Sequence, residues 1–157
     1  MSISKEQIIE AHERIKPFIH KTPVLTSKTL NTFSGTELFF KCENFQKIGA
    51  FKIRGGMNAV LTPPKEKLQN GIATHSSGNH AQAIAYAAKE LGTKAYIVMP
   101  DNSPQVKVNA VKGYGAEITF CENNQQARET TLQNIIEKTG VEFIHPYNDE
   151  RVITGQA

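Results

Sequence analysis

Ile72-Ala-Thr-His-Ser-Ser-Gly-Asn-His-Ala-Gln82 runs from a short apolar and β-branched stretch, through a polar turn, into an alanine-rich stretch. The change of pattern at Ser76-Ser-Gly78 marks the end of a strand and the start of a helix. Working outward, the same alternation repeats. Strand-like runs at Ile72–His75, Ala95–Met99, Glu117–Cys121 and Val141–His145 are separated by helical stretches at Asn79–Leu91, Ser103–Lys112 and Asn124–Lys138. Gly92, Gly113 and Gly140 stand where helix-ending glycines are expected. A β-α-β-α-β-α-β order with right-handed crossovers predicts an α/β fold, a parallel sheet with helices on both faces. The stretch from His80 to Leu91 is apolar nearly all round, which predicts a helix buried between the sheet and another layer.

The segment before Gly71 is less regular. Ser4 with Gln7 reads as a capping box, and Ile8, Ala11 and Ile15 then share one helical face until Pro17. An extended Thr22-Pro23, a short helix after Ser27 and a strand over Thr36–Cys42 follow. A loop over Glu43–Ala50 leads into a helix over Phe51–Leu61, in spite of Gly55 and Gly56, closed by Thr62-Pro-Pro64. Residues 71–146 are thus expected to form a compact subdomain, with residues 1–70 belonging to another.

The 157 residues suffice for about one domain, and 18 basic against 15 acidic residues give a formal charge of +3. The cations are scattered and not interleaved with aromatics, so no nucleic-acid partner is expected. The polar start and the lack of a long apolar run predict a cytoplasmic protein without a membrane partner. Cys42 and Cys121 lie far apart in strand-like runs and read as small buried hydrophobes. His12, His20, His75, His80 and His145 show no metal-ligand spacing, so no metal is expected.

No Gly-x-Gly-x-x-Gly follows a strand and no phosphate-binding Walker loop occurs, which argues against a nucleotide. Two other stretches carry chemistry. In Gly49-Ala-Phe-Lys-Ile-Arg-Gly-Gly56 a lysine sits between apolar neighbours. Desolvation lowers an ammonium's pKa, and a neutral amine is what Schiff-base formation with an aldehyde requires. By itself the stretch reads more simply as an ordinary lysine with a wet head and a packed stem. In His75-Ser-Ser-Gly-Asn-His80 the free backbone N–H groups of a helix start could bind an anion, or Ser or Asn could simply cap the helix.

Together the two stretches resemble the fold-type II pyridoxal-phosphate enzymes, in particular the threonine dehydratase and serine racemase group. Phe51-Lys-Ile-Arg-Gly55 matches that group's lysine motif, and Ser76-Ser-Gly-Asn-His-Ala-Gln82 its glycine-asparagine loop. Lys41-Cys-Glu43, Val98-Met-Pro100 and His145-Pro-Tyr-Asn-Asp-Glu-Arg-Val-Ile153 extend the likeness along the chain. The resemblance implies pyridoxal 5'-phosphate as cofactor, Lys52 as the aldimine lysine and Phe51 beside the cofactor ring. It implies Asn79 on the ring hydroxyl oxygen, and Ser76, Ser77, Gly78, Asn79 and His80 around the substrate carboxylate. Arg54 and His80 are read as supporting, through an ion pair and a helix-start contact. The implied reaction on serine or threonine is Cα proton abstraction by Lys52, loss of the β-hydroxyl, and release of a 2-oxo acid and ammonia. Racemisation needs a proton donor on the opposite face, for which Ser77 is the candidate. Dehydratases of the group usually read Ser-Ala-Gly-Asn-His there, whereas racemases carry the second serine.

The resemblance also implies two domains, with residues 147–157 beginning the return to a larger one that stays partial here. The glycine-rich phosphate loop and the residue facing the pyridine nitrogen fall outside Ile153-Thr-Gly-Gln-Ala157 and what precedes it. This chain alone is therefore expected to be a poor enzyme, and an inactive truncated form is the alternative. A cysteine-synthase-like β-replacement enzyme is disfavoured, because its loop typically reads Ser-Gly-Asn-Thr. A homo-oligomer is expected at full length.

Overall fold

The computed structural model describes residues 3–157. Helix α1 (Lys5–Ile15) opens on the predicted capping box: Gln7 N–H donates to Ser4 Oγ at 3.3 Å, and Ser4 N–H to Gln7 Oε1 at 2.8 Å. Its buried face carries Ala11 and Ile15. Strands β1 (Val24–Leu25) and β2 (Phe40–Lys41) pair antiparallel and flank α2 (Lys28–Ser34), and α3 (Lys52–Leu61) follows two short 3-10 turns. The regular part then runs β3 (Ile72–His75), α4 (Asn79–Leu91), β4 (Ala95–Pro100), α5 (Gln105–Gly113), β5 (Glu117–Cys121), α6 (Gln125–Thr139), β6 (Glu142–Phe143) and α7 (Glu150–Gln156).

Four strands form a parallel sheet in the order β5-β4-β3-β6. Because strand side chains alternate, Ile72 and Ile97 face one side and Ala73 and Val98 the other. On the first side they join Met57 of α3, Ile84 of α4 and Val108 of α5 in the larger core. On the second they meet Leu132 of α6 and Val141. Helices thus cover both faces, and β3, between two neighbours, is buried throughout. The α4 helix is sandwiched as its composition predicts, with His80, Ala81, Ala83, Ile84, Ala85, Ala87 and Ala88 all buried.

Several expectations need correction. The strand expected over Thr36–Cys42 is reduced to Phe40–Lys41, because Phe39 and Phe40 find no covering layer and Leu38 N–H is satisfied by Asn31 Oδ1 at 3.0 Å instead of by a strand. The last strand covers only Glu142–Phe143, since it is an edge paired to β3 through Ile72 and Ala73 alone. Helix α5 starts after Pro104 rather than at Ser103, whose hydroxyl is engaged by the Pro100 carbonyl at 2.6 Å. Gly113 is still helical, and the left-handed residue that turns the chain is Gly115 at φ 84°. Neither cysteine is fully buried; both are intermediate and free.

Helix α3 is held by contacts that tolerate no side chain. A Cβ on Gly56 would lie 2.9 Å from the Ala83 Cβ of α4, and one on Gly55 would lie 2.5 Å from the Val152 carbonyl oxygen of α7. From the other side, a Cβ on Gly155 would meet the Asn58 Cβ at 2.6 Å. The buried Asn58 accepts from Arg14 Nη1 at 2.5 Å and donates to the Arg151 carbonyl at 2.7 Å, tying α1, α3 and α7 together. Gly155→Ala is expected to remove about 1–3 kcal/mol of stability by overpacking this contact. Gly113→Ala, with nothing within 4 Å of the new methyl, is expected to be neutral or to add up to about 1 kcal/mol from helix propensity. Urea unfolding of the two variants checks both.

Candidate active site

Lys52 is the first residue of α3, and the loop before it is fixed by its own hydrogen bonds. The buried Gln46 side chain accepts from the His20 and Lys47 amides and donates to the His20 carbonyl, at 2.8–2.9 Å. Ile48 and Gly49 then take left-handed backbone angles, φ 60° and 68°, which swing Phe51 and Lys52 onto the helix start. Two residues on, Arg54 forms the predicted ion pair, a fork of two 2.8 Å bonds from Nε and Nη2 to Glu43. The guanidinium holds the Glu43 carboxyl below its ordinary range.

The Lys52 amine donates to the Pro146 carbonyl at 3.3 Å and sits 5.2 Å from the centre of the Phe51 ring. Among the described residues no carboxylate pairs with it. Burial without a counter-ion pushes its pKa down, the condition that a nucleophilic amine requires. Phe51 remains exposed and borders a cleft of about 760 Å³ shared with His12, Lys41, Glu43, Arg54 and Gln156.

The Ser76–His80 loop lies where β3 ends and α4 begins. Ser76 N–H continues the sheet pattern to the Val98 carbonyl at 3.0 Å, and Ser76 Oγ accepts from Gly78 N–H at 3.2 Å. The N-cap is Gly78, without a side-chain cap, so the reading of Ser or Asn as an ordinary cap is corrected. The first turn of α4 therefore carries uncapped N–H groups and no acidic side chain, an environment suited to an anion. Lys107 of α5 adds a cation: its Nζ lies 3.8 Å from where a Cβ on Gly78 would stand. Ser76, Ser77 and Gly78 are half-buried and Asn79 is exposed.

His80 turns inward and is only 3% exposed. The Ile144 carbonyl and the Lys52 amine are close enough to weigh on its protonation, yet neither ring nitrogen has a hydrogen-bond partner. Desolvation pushes its pKa down to about 4, which keeps the ring neutral beside Lys52. Lys52 and His80, 28 positions apart in the chain, thus lie near enough at the carboxyl end of the sheet for the lysine's charge to oppose protonation of the ring. No hydrogen bond joins Lys52 to Ser76, Ser77 or Asn79. Sequence reasoning missed Lys107 and Pro146; a lysine on an amphipathic helix and a backbone carbonyl leave no distinctive pattern.

Residues 15–157 match the family described as pyridoxal-phosphate dependent enzyme, and the chain belongs to that family. It is 53% identical over 149 residues to a serine racemase of Arabidopsis thaliana, covering 95% of this chain and 45% of the relative. It is 51% identical over 151 residues to a β-hydroxyaspartate dehydratase of Paracoccus denitrificans, covering 96% and 48%. The structure of maize serine racemase superposes with a TM-score of 0.96 at 44% identity, over 99% of this chain and 47% of that one. The chain spans about half the length of the curated relatives it matches. Family membership makes pyridoxal phosphate the cofactor, and the α/β fold is that of fold-type II enzymes.

The buried His80 generates a pH prediction. Above its ordinary value of 6.5 the ring is neutral whether folded or unfolded, and stability does not depend on it. As pH falls from 6.5 towards 4 the unfolded chain takes up the proton first, so stability drops, by up to about 3 kcal/mol, and levels off below the folded value. Subtracting the urea stability of His80→Gln from that of the unsubstituted chain across this range should isolate that slope; a flat difference would contradict the burial.

Proposed function

We propose that the complete polypeptide is a pyridoxal-phosphate-dependent ammonia-lyase acting on serine or threonine, with serine racemase activity. The observation that carries this reading is the Lys52 amine, partly buried and without a counter-ion, at the same carboxyl end of the sheet as the uncapped start of α4. When bound, the cofactor supplies the electron sink that makes the Cα proton acidic. In this reading Lys52 anchors the cofactor and then moves the proton at Cα, Phe51 packs beside the ring and Asn79 donates to its hydroxyl oxygen. The Ser76–His80 loop holds the substrate carboxylate through the N–H groups of Ser77, Asn79 and His80 and the Ser76 and Ser77 hydroxyls, while the Ser76 and Gly78 N–H groups stay engaged by the Val98 carbonyl and Ser76 Oγ. Ser77 exchanges a proton with the face of Cα opposite Lys52, which is what racemisation adds to elimination. The relatives named for serine and for β-hydroxyaspartate support a β-hydroxy amino acid as substrate.

A second reading, a chain inactive by itself, is favoured by one observation. Val24, Leu25, Leu30, Phe33, Phe39 and Phe40 all lie in the first quarter or so of the chain and are 41–91% exposed. So many exposed large apolar side chains in one stretch of sequence fit a surface that another part of the complete polypeptide covers. We assign residues 1–70, with residues 147–157 packed back on α3, to a larger cofactor-binding domain, and residues 71–146 to a smaller one; the Gly55 and Gly155 contacts support this grouping. A homo-oligomer in the cytoplasm is part of the same proposal.

Treating the chain with saturating pyridoxal phosphate and then borohydride tests the reading. A cofactor adduct is expected on Lys52 alone and is lost in Lys52→Ala; an unlabelled Lys52 would leave only the inactive reading for this chain. With the complete polypeptide, Ser77→Ala is expected to lose racemisation by about 100-fold or more while elimination persists.

A further inference from the structure

The turn that holds the Lys52 amine is itself held by one imidazole. His145 Nδ1 accepts from the Asn148 N–H at 2.9 Å and from the Tyr147 N–H at 3.3 Å. A nitrogen that accepts two backbone donors carries no proton, so the ring is the neutral tautomer with hydrogen on Nε2. The ring's orientation is fixed by edge-on packing against Tyr147 at 4.5 Å, Phe143 at 5.7 Å and His75 at 5.8 Å between centroids. Between His145 and the two donors lies Pro146, whose carbonyl is the acceptor for Lys52 Nζ at 3.3 Å.

Both ends of this turn are anchored elsewhere. Upstream, Ile144 N–H donates to the Ala73 carbonyl at 2.9 Å and the Ile144 carbonyl accepts from Thr74 Oγ1 at 2.8 Å. Downstream, Asp149 caps α7 and is gripped by Arg151, which also reaches Glu142 and the Phe143 carbonyl. Among the described residues, the Nδ1 acceptor is the one side-chain hydrogen-bonding group that spans the interior of the turn.

We infer that His145 is a positioning residue: through Nδ1 it shapes the 145–148 turn so that the Pro146 carbonyl meets the Lys52 amine. The role of Lys52 itself rests on the proposed function. No hydrogen bond joins His145 to the Lys52 amine; it acts through the backbone. With the acceptor removed, the Tyr147 and Asn148 N–H groups lose their partner and the Pro146 carbonyl is free to turn away. The Lys52 amine then gains water and rotamers, and both slow its attack on an aldehyde.

The test compares His145→Leu, which keeps bulk and removes the acceptor, with His145→Asn, whose Oδ1 takes the place of Nδ1. In the unsubstituted chain the ring ¹⁵N shifts should show Nδ1 unprotonated and Nε2 protonated, a measurement that needs no variant. Hydrogen exchange at the Tyr147 and Asn148 amides should rise about tenfold in His145→Leu and return to within about twofold in His145→Asn, the scale of one lost hydrogen bond. The rate of borohydride-trapped labelling of Lys52 by pyridoxal phosphate should fall in the first and recover in the second. A protonated Nδ1, unchanged exchange, or equal labelling of His145→Leu and the unsubstituted chain overturns the inference, as does an Asn variant as slow as Leu. A labelled chain with equal variants refutes His145 alone, whereas an unlabelled unsubstituted chain with the predicted shifts and exchange refutes the role given to Lys52.

Discussion

The backbone-to-backbone approach of α3 to α4 and α7 is the constraint on which the rest of the structure depends. At Gly56 and Gly55 there is no room for a methyl group, and Gly155 offers the same from the other side. This closeness brings the first turn of α3 to the carboxyl end of the sheet, where β3 ends and α4 begins. Fully buried Ile53 and Met57, on the same helix as Lys52, contribute about 1.5–3 kcal/mol each to holding it there. The two stretches to which the proposed chemistry is assigned are thus joined by core packing, with no hydrogen bond between Lys52 and Ser76, Ser77 or Asn79.

Charge is arranged so that Lys52 is left without compensation. Glu43 is taken by Arg54, and Asp149 and Glu142 are taken by Arg151. Among the described residues, the Lys52 amine has a carbonyl oxygen as its hydrogen-bond partner and the Phe51 ring beside it, and its charge is near enough to oppose protonation of His80. At the same end of the sheet, uncapped N–H groups and the nearby Lys107 leave an unmet preference for negative charge. A lysine depressed in pKa at the same end of the sheet as a turn suited to an anion fits the proposed function.

Much of this was legible in the sequence, for physical reasons. Ser4, Gly92 and Gly140 act as the cap and stops that their chemistry predicts, and the apolar periods locate the four parallel strands. Lys52 and the Ser76–His80 loop were singled out by their pairing in the family resemblance, since taken alone each reads as an ordinary lysine or a plain helix start. The strand over Thr36–Cys42 misled because β propensity needs a covering layer, which Phe39 and Phe40 lack. Gly113 misled because two glycines stand close together and only φ tells which one turns the chain. The inward turn of His80, the Gln46 clasp and the His145 turn were illegible, since each depends on partners brought together by tertiary packing.

Packing of α3 holds the Lys52 amine partly buried and without a counter-ion among the described residues. Reductive ¹³C-methylation of the lysines and an NMR titration that resolves each one measures it directly. The structure predicts that the Lys52 signal titrates clearly below the ordinary 10.5. A Lys52 midpoint at or above 10.5 would contradict the account.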